Sequence, residues 1–109
     1  MGRLRLIKMK IYDKVKWHYP SGKHCPDLKT ALIHFNVIIK WLEAKNLLSN
    51  EGKEIVANGI DSDFSLNSAM LTDKGNKILD ECYNEWLLAI GYSDKISTYV
   101  LDNCFKKLK

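Results

Sequence analysis

Three histidines and three cysteines are the residues of this 109-residue chain whose types invite chemistry: His18, His24 and His34, with Cys25, Cys82 and Cys104. A metal site would want them at ligand spacing. The sequence holds no CxxC, HExxH or paired-histidine spacing, and adjacent residues such as His24 and Cys25 rarely direct both side chains at one ion. The expectation is a packed His18, a solvated His24 and a His34 bonded to a neighbouring helix, with no metal site and no cofactor. Nucleophilic catalysis needs a thiolate beside a base. Cys25, at a helix start close to His24 or His18, is the one arrangement that offers this, and no third, orienting group accompanies it. Acid–base hydrolysis needs two converging carboxylates. Asp61 and Asp63 are near neighbours, but they read as a cap and a turn. Gly52, Gly59, Gly75 and Gly91 are dispersed, so no phosphate-cradling loop is present. No catalytic residue is assigned, and the chain is not expected to be an enzyme.

Binding remains. Trp17, His18 and Tyr19 stand together before the Pro20-Ser21-Gly22 loop. Three bulky neighbours cannot all point inward, so one side of this segment is exposed or faces a partner, where aromatics serve as anchors. Trp17, His18, Tyr19 and His34 are the candidate partner-binding residues. Trp41, Tyr83 and Trp86 read as core. So do Cys82 and Cys104, on or beside apolar helix faces.

The elements that must position these residues are mostly helical. Apolar and basic residues alternate through 1–12 with one slip, as in a short strand or extended arm. Asp13 reads as the cap of a single turn that carries Val15, Trp17 and His18. Pro26 and Asp27 mark a helix start, and the helix is expected to run from Leu28 to Leu48. One apolar stripe holds Leu28, Ala31, Leu32, Phe35, Ile38, Ile39 and Leu42; a second holds Ile33, Val37, Trp41, Ala44 and Leu48. Two apolar faces imply cover from two sides. Residues 53–70 read as a helical turn stopped at Asn58-Gly59, then a cap at Asp61–Asp63 before Phe64 and Leu66. The competing reading is a β-hairpin within 53–66, with strands at 54–56 and 64–66. Thr72-Asp73 opens an amphipathic helix whose stripe is Ile78, Leu79, Cys82, Tyr83, Trp86, Ala89 and Ile90. Ser93 or Asp94 caps a last helix carrying Ile96, Val100, Leu101, Cys104, Phe105 and Leu108.

Composition bounds the possibilities. Hydrophobic residues make up 46% of the chain and charged residues 28%, a globular balance that excludes disorder. No apolar run approaches the ~18–20 residues that span a bilayer, and the basic start lacks a secretory signal's apolar stretch. A cytoplasmic protein is expected, with no membrane partner. An odd cysteine count in that setting argues against a disulfide framework. The net charge is +4, but the excess sits at the ends: residues 11–105 carry ten basic groups against thirteen acidic. That acidic middle disfavours phosphate binding.

The segment Tyr12-Asp13-Lys14-Val15-Lys16-Trp17-His18-Tyr19 resembles the opening of an uncharacterised family of small bacterial domains, with the pattern YDxxxWHY…H…WL…LLS. The matches continue at Pro26-Asp27, Ala31, His34, Trp41-Leu42 and Leu47-Leu48-Ser49, then more loosely at Leu71, Gly75, Tyr83 and Tyr92. The resemblance implies a helical domain without established enzyme activity. Some of its members are encoded among toxin–immunity genes. It also implies Met9 as the start, with residues 1–8 an extension or arm and 9–109 a single helical domain. Many immunity proteins to nucleases are strongly acidic; this chain is net basic.

The expected fold is all-α: a central two-faced helix packed by two C-terminal amphipathic helices, with the aromatic segment laid across them. The expected function is a non-enzymatic protein-binding domain of the immunity or antitoxin kind, covering the active surface of a protein partner. The alternative is a winged-helix DNA-binding domain, suggested by the run WLEAKNLLSNEGKEIV, then DFSL, then LTDKG. Against it, the long helix exposes only Lys29, Asn36, Lys40 and Lys45 for reading bases.

Overall fold

The computed structural model describes residues 9–20, 27–90 and 96–107. Its element order is β1 (Ile11–Lys14), α1 (Val15–His18), α2 (Leu28–Ala44), α3 (Asn50–Ala57), β2 (Ser65–Asn67), a 3-10 turn (Ser68–Met70), α4 (Asp73–Ile90) and α5 (Tyr99–Lys107). The fold is mostly helical, and a two-stranded antiparallel sheet corrects the all-α expectation. His24 and Cys25 lie outside the described residues, as do residues 1–8 and the proposed caps Ser93 and Asp94. Among the described residues no helix is long and apolar enough to cross a membrane.

α2 starts where the Asp27 carboxylate accepts the Thr30 N–H at 2.8 Å, satisfying one of the free donors of the first turn. It ends four residues earlier than its apolar pattern suggests. Asn46 takes a left-handed φ of 59°, and the Asn46 and Leu47 N–H groups turn back to the carbonyls of Glu43 and Leu42. This is a Schellman stop with asparagine in the place usually held by glycine. Leu47 and Leu48 then leave the helix and still enter the core. Leu48 forms an isolated bridge with Leu71, and the Leu47 carbonyl accepts the Thr72 N–H at 2.9 Å.

The buried face of α2 carries Ala31, Phe35, Ile38, Ile39 and Leu42, with His34 and Trp41 beside them. Burying each large apolar side chain contributes roughly 1.5–3 kcal/mol. Of the second stripe Trp41 is buried, Ile33 and Val37 are half-buried and Ala44 is exposed. Rings on α2 reach three other segments. Phe35 meets Phe64 edge-on at 5.5 Å, His34 lies 6.4 Å from Trp86, and Trp41 meets Phe105 at 6.0 Å. The Trp41 indole N–H also donates to Asp102 Oδ1 at 2.7 Å, tying α2 to α5.

The ambiguous stretch resolves in parts. Residues 50–57 are helical, capped by Ser49 Oγ, which accepts the Gly52 N–H at 3.0 Å. Gly59, at φ 88°, follows the helix end. The strand at 65–67 exists, but its partner is Ile11–Lys14, more than 50 residues upstream, and not 54–56. No wing is therefore built from 53–66. Asp61 does not cap a helix; its carboxylate accepts the Asp63 N–H in a turn leading into β2. Gly52 sits inside α3 because its position is pressed on the 3-10 turn. A Cβ there would stand 2.1 Å from the Met70 carbonyl oxygen.

In the sheet, Ile11 pairs with Asn67, Asp13 with Leu66 and Lys14 with Ser65, and the register shifts between Ile11 and Asp13. That irregularity leaves Tyr12 as the extra residue of the strand. Cross-strand neighbours share a face. Leu66 is fully buried, so the register aims Asp13 into the interior.

A buried carboxylate cluster as the candidate functional site

Asp13, His18, His34 and Tyr83 come from four elements and meet in the core. Each is at most 8% exposed. A buried carboxylate is costly unless hydrogen bonds compensate it, and Asp13 gathers several. Its Oδ1 accepts the Lys14 N–H at 2.9 Å and lies 2.8 Å from His18 Nε2. Its Oδ2 lies 3.0 Å from His18 Nε2, 3.0 Å from His34 Nε2 and 2.5 Å from the Tyr83 hydroxyl, which donates to it.

Local structure explains each placement. The Lys14-to-Val15 step turns the strand directly into α1, where the Tyr19 N–H donates to the Val15 carbonyl at 3.0 Å and the Val15 N–H donates to Phe64. Within that single turn Val15 and His18 face inward, while Lys16 and Trp17 face solvent. Asp13 was expected to cap the turn. Lys14 holds the cap position instead, and no side chain among the described residues caps it. His34 follows Ala31 by three residues and precedes Ile38 by four, which puts it on the buried side of α2. Tyr83 belongs to the apolar stripe of α4. The rings pack together: His18 and His34 meet edge-on at 4.5 Å, His34 lies 4.1 Å from Phe35, and Tyr83 lies 5.7 Å from Trp86.

The electrostatics follow from burial and pairing. Burial by itself would raise the Asp13 pKa. Hydrogen bonds from His18, His34 and Tyr83 outweigh it and hold the carboxyl at about 2. Burial pushes His34 down from its ordinary value, against the pull of Asp13. His34 is therefore neutral near pH 7, with its proton on Nε2 toward Asp13. Its Nδ1 is buried with no hydrogen-bond partner among the described residues. Burial, then the negative Asp13, keeps Tyr83 a phenol.

The predicted partner-binding set separates into two halves. Trp17 is 53% exposed, with the Lys14 ammonium 6.0 Å from its ring centre, and Tyr19 is half-buried. His18 and His34 are interior, so they are not available to a partner in this fold. His18 is packed, as expected, and His34 bonds the end of β1 instead of a neighbouring helix. Asp13 and Tyr83 were not assigned to the site from sequence. Tyr83 was legible as core on the apolar stripe of α4, and nothing local marked Asp13 as interior.

Two surface grooves lie elsewhere. One, between α4 and α5, is bordered by Glu81, Glu85 and Tyr99; the other runs beside Lys10, Tyr12 and Asp80. Neither is lined by a member of the cluster. Cys82 and Cys104 also border the first, with their thiols turned to the Ile78 carbonyl, 3.0 and 3.7 Å away. Comparison with known proteins finds no matching family model, no matching curated protein and no matching solved structure. The function is accordingly read from the cluster and the surface it supports.

Proposed function

We propose that this chain is a non-enzymatic protein-binding domain of the immunity or antitoxin kind, which covers the active surface of a protein partner. One contrast supports this reading. The groups able to move protons, Asp13, His18, His34 and Tyr83, are buried and bonded to one another, whereas Trp17, next to His18 in sequence, stands half-exposed. The cluster fixes the one-turn helix from below and presents the indole on a rigid base. Little side-chain order is then lost on docking, which is how an aromatic becomes a strong anchor. The YDxxxWHY resemblance points the same way.

The test is titration calorimetry against the product of the adjacent reading frame. Trp17→Ala is expected to weaken binding by about 2 kcal/mol or more, roughly thirtyfold, with an unchanged circular dichroism spectrum. A monomeric wild-type chain that binds no such product, or a Trp17→Ala variant of equal affinity, counts against the reading.

A further inference from the structure

We propose that Asp13, His18 and His34 form a binding site for a single divalent cation of the zinc class. The proposal is independent of whether Trp17 docks a partner. One carboxylate oxygen and two imidazole nitrogens are a donor set suited to zinc. The three ligand atoms lie within 4.8 Å of one another. Donors on one tetrahedral zinc stand about 3.3–3.5 Å apart, given bonds of about 2.0–2.1 Å, so small side-chain rotations would seat all three. Both imidazoles turn the same nitrogen, Nε2, toward the same carboxylate. The donors come from β1, α1 and α2, which the core already holds in place.

The hydrogen bonds show the same convergence. Three groups converge on Asp13 Oδ2: His18 Nε2, His34 Nε2 and the Tyr83 hydroxyl. His18 Nε2 also lies 2.8 Å from Oδ1, so both ring nitrogens already converge on the one carboxylate. A cation replaces both Nε2 protons and turns the two nitrogens into lone-pair donors. The Tyr83 hydroxyl and the Lys14 N–H then act as outer partners that orient the carboxylate. One feature lowers the affinity. With Nε2 on the metal, the His34 proton moves to Nδ1, which has no acceptor among the described residues. Missing an outer partner typically costs ~10–100-fold. In this role the ion is a staple between the aromatic segment and α2.

The experiment uses the full chain, stripped with a chelator and titrated with Zn²⁺ alone against a chromophoric competitor. Uptake of one equivalent and a rise in the thermal midpoint are expected. His34→Gln and His18→Gln each keep an amide N–H for Asp13 but remove the imidazole ligand, and each should lower zinc affinity at least tenfold. No uptake by the wild-type chain, or unchanged affinity in whichever of these variants folds, overturns the proposal. Co²⁺ substitution decides without any variant. Ligand-field bands of a nitrogen–oxygen site support it, and a thiolate-to-cobalt charge-transfer band, placing the ion on cysteine, overturns it.

Discussion

The Tyr83 hydroxyl donates to Asp13 Oδ2 at 2.5 Å across a sequence separation of 70 residues, joining the middle of α4 to the end of β1. Both groups are nearly inaccessible to water, at 2% exposure each. A bond of this kind, with a charged acceptor, contributes more than one between neutral groups. Tyr83→Phe removes the donor and keeps the ring. Urea unfolding should show a loss of about 1.5–3 kcal/mol. A variant as stable as the wild type would mean the phenol adds nothing to holding the carboxylate.

Acid should weaken the metal-free protein in two stages. His34 has a folded pKa below its ordinary 6.5, so the unfolded chain binds more protons, and stability should begin to fall as pH drops below that value. Asp13 moves from 3.8 down to about 2 on folding. Its contribution is fully present above the ordinary carboxylate range and is lost as pH falls through about 2. It amounts to about 2 kcal/mol. Chemical denaturation from pH 7 to about 2, in the presence of a chelator, measures both. A flat profile between pH 7 and 5 would contradict the His34 stage, and an Asp13→Asn variant should lose the steeper limb below pH 4.

Gly52 is expected to tolerate no side chain. The Cβ of Gly52→Ala would sit 2.1 Å from a backbone oxygen that cannot rotate away, so α3 must separate from the 3-10 turn. A loss of about 1–3 kcal/mol is expected, read as a drop in thermal midpoint. A neutral substitution would show that α3 and Met70 are not in the contact described.

Cys82 and Cys104 should resist alkylation in the native protein. Both are buried against the Ile78 carbonyl, and burial, then the neighbouring Cys104, pushes the Cys82 thiol up, leaving little thiolate to react. Peptide mapping after iodoacetamide should find both unlabelled at pH 8 and labelled in urea. Rapid native labelling of either would contradict their placement between α4 and α5.

Sequence reasoning succeeded where a pattern is local and repeated. The apolar spacing in α2 and α4 marks Phe35, Ile38, Leu42, Ile78 and Trp86 as core, and all five are buried. It failed where one residue decides an outcome. Leu47 and Leu48 continue the apolar period of α2, so nothing in their spacing announces that Asn46 reverses the chain. Ser65–Asn67 is too short to identify its partner, because strand pairing is a long-range choice that three residues cannot encode. The cluster was missed for a related reason. Asp13 beside a helical turn has the local signature of a cap, and its partners lie 5, 21 and 70 residues away. His34 was the more legible member, since Ala31 and Ile38 flank it on the buried arc.

The pairing of β1 with β2 also has a bearing on biosynthesis. A ribosome emits Ile11–Lys14 more than 50 residues before Ser65–Asn67, and Tyr83 follows later still. At ordinary translation speeds of ~5–20 residues per second, the early strand waits seconds for its mate. Through that interval the nascent chain carries an unmatched edge and an unhoused acid, whereas α2 can coil as soon as it clears the exit tunnel.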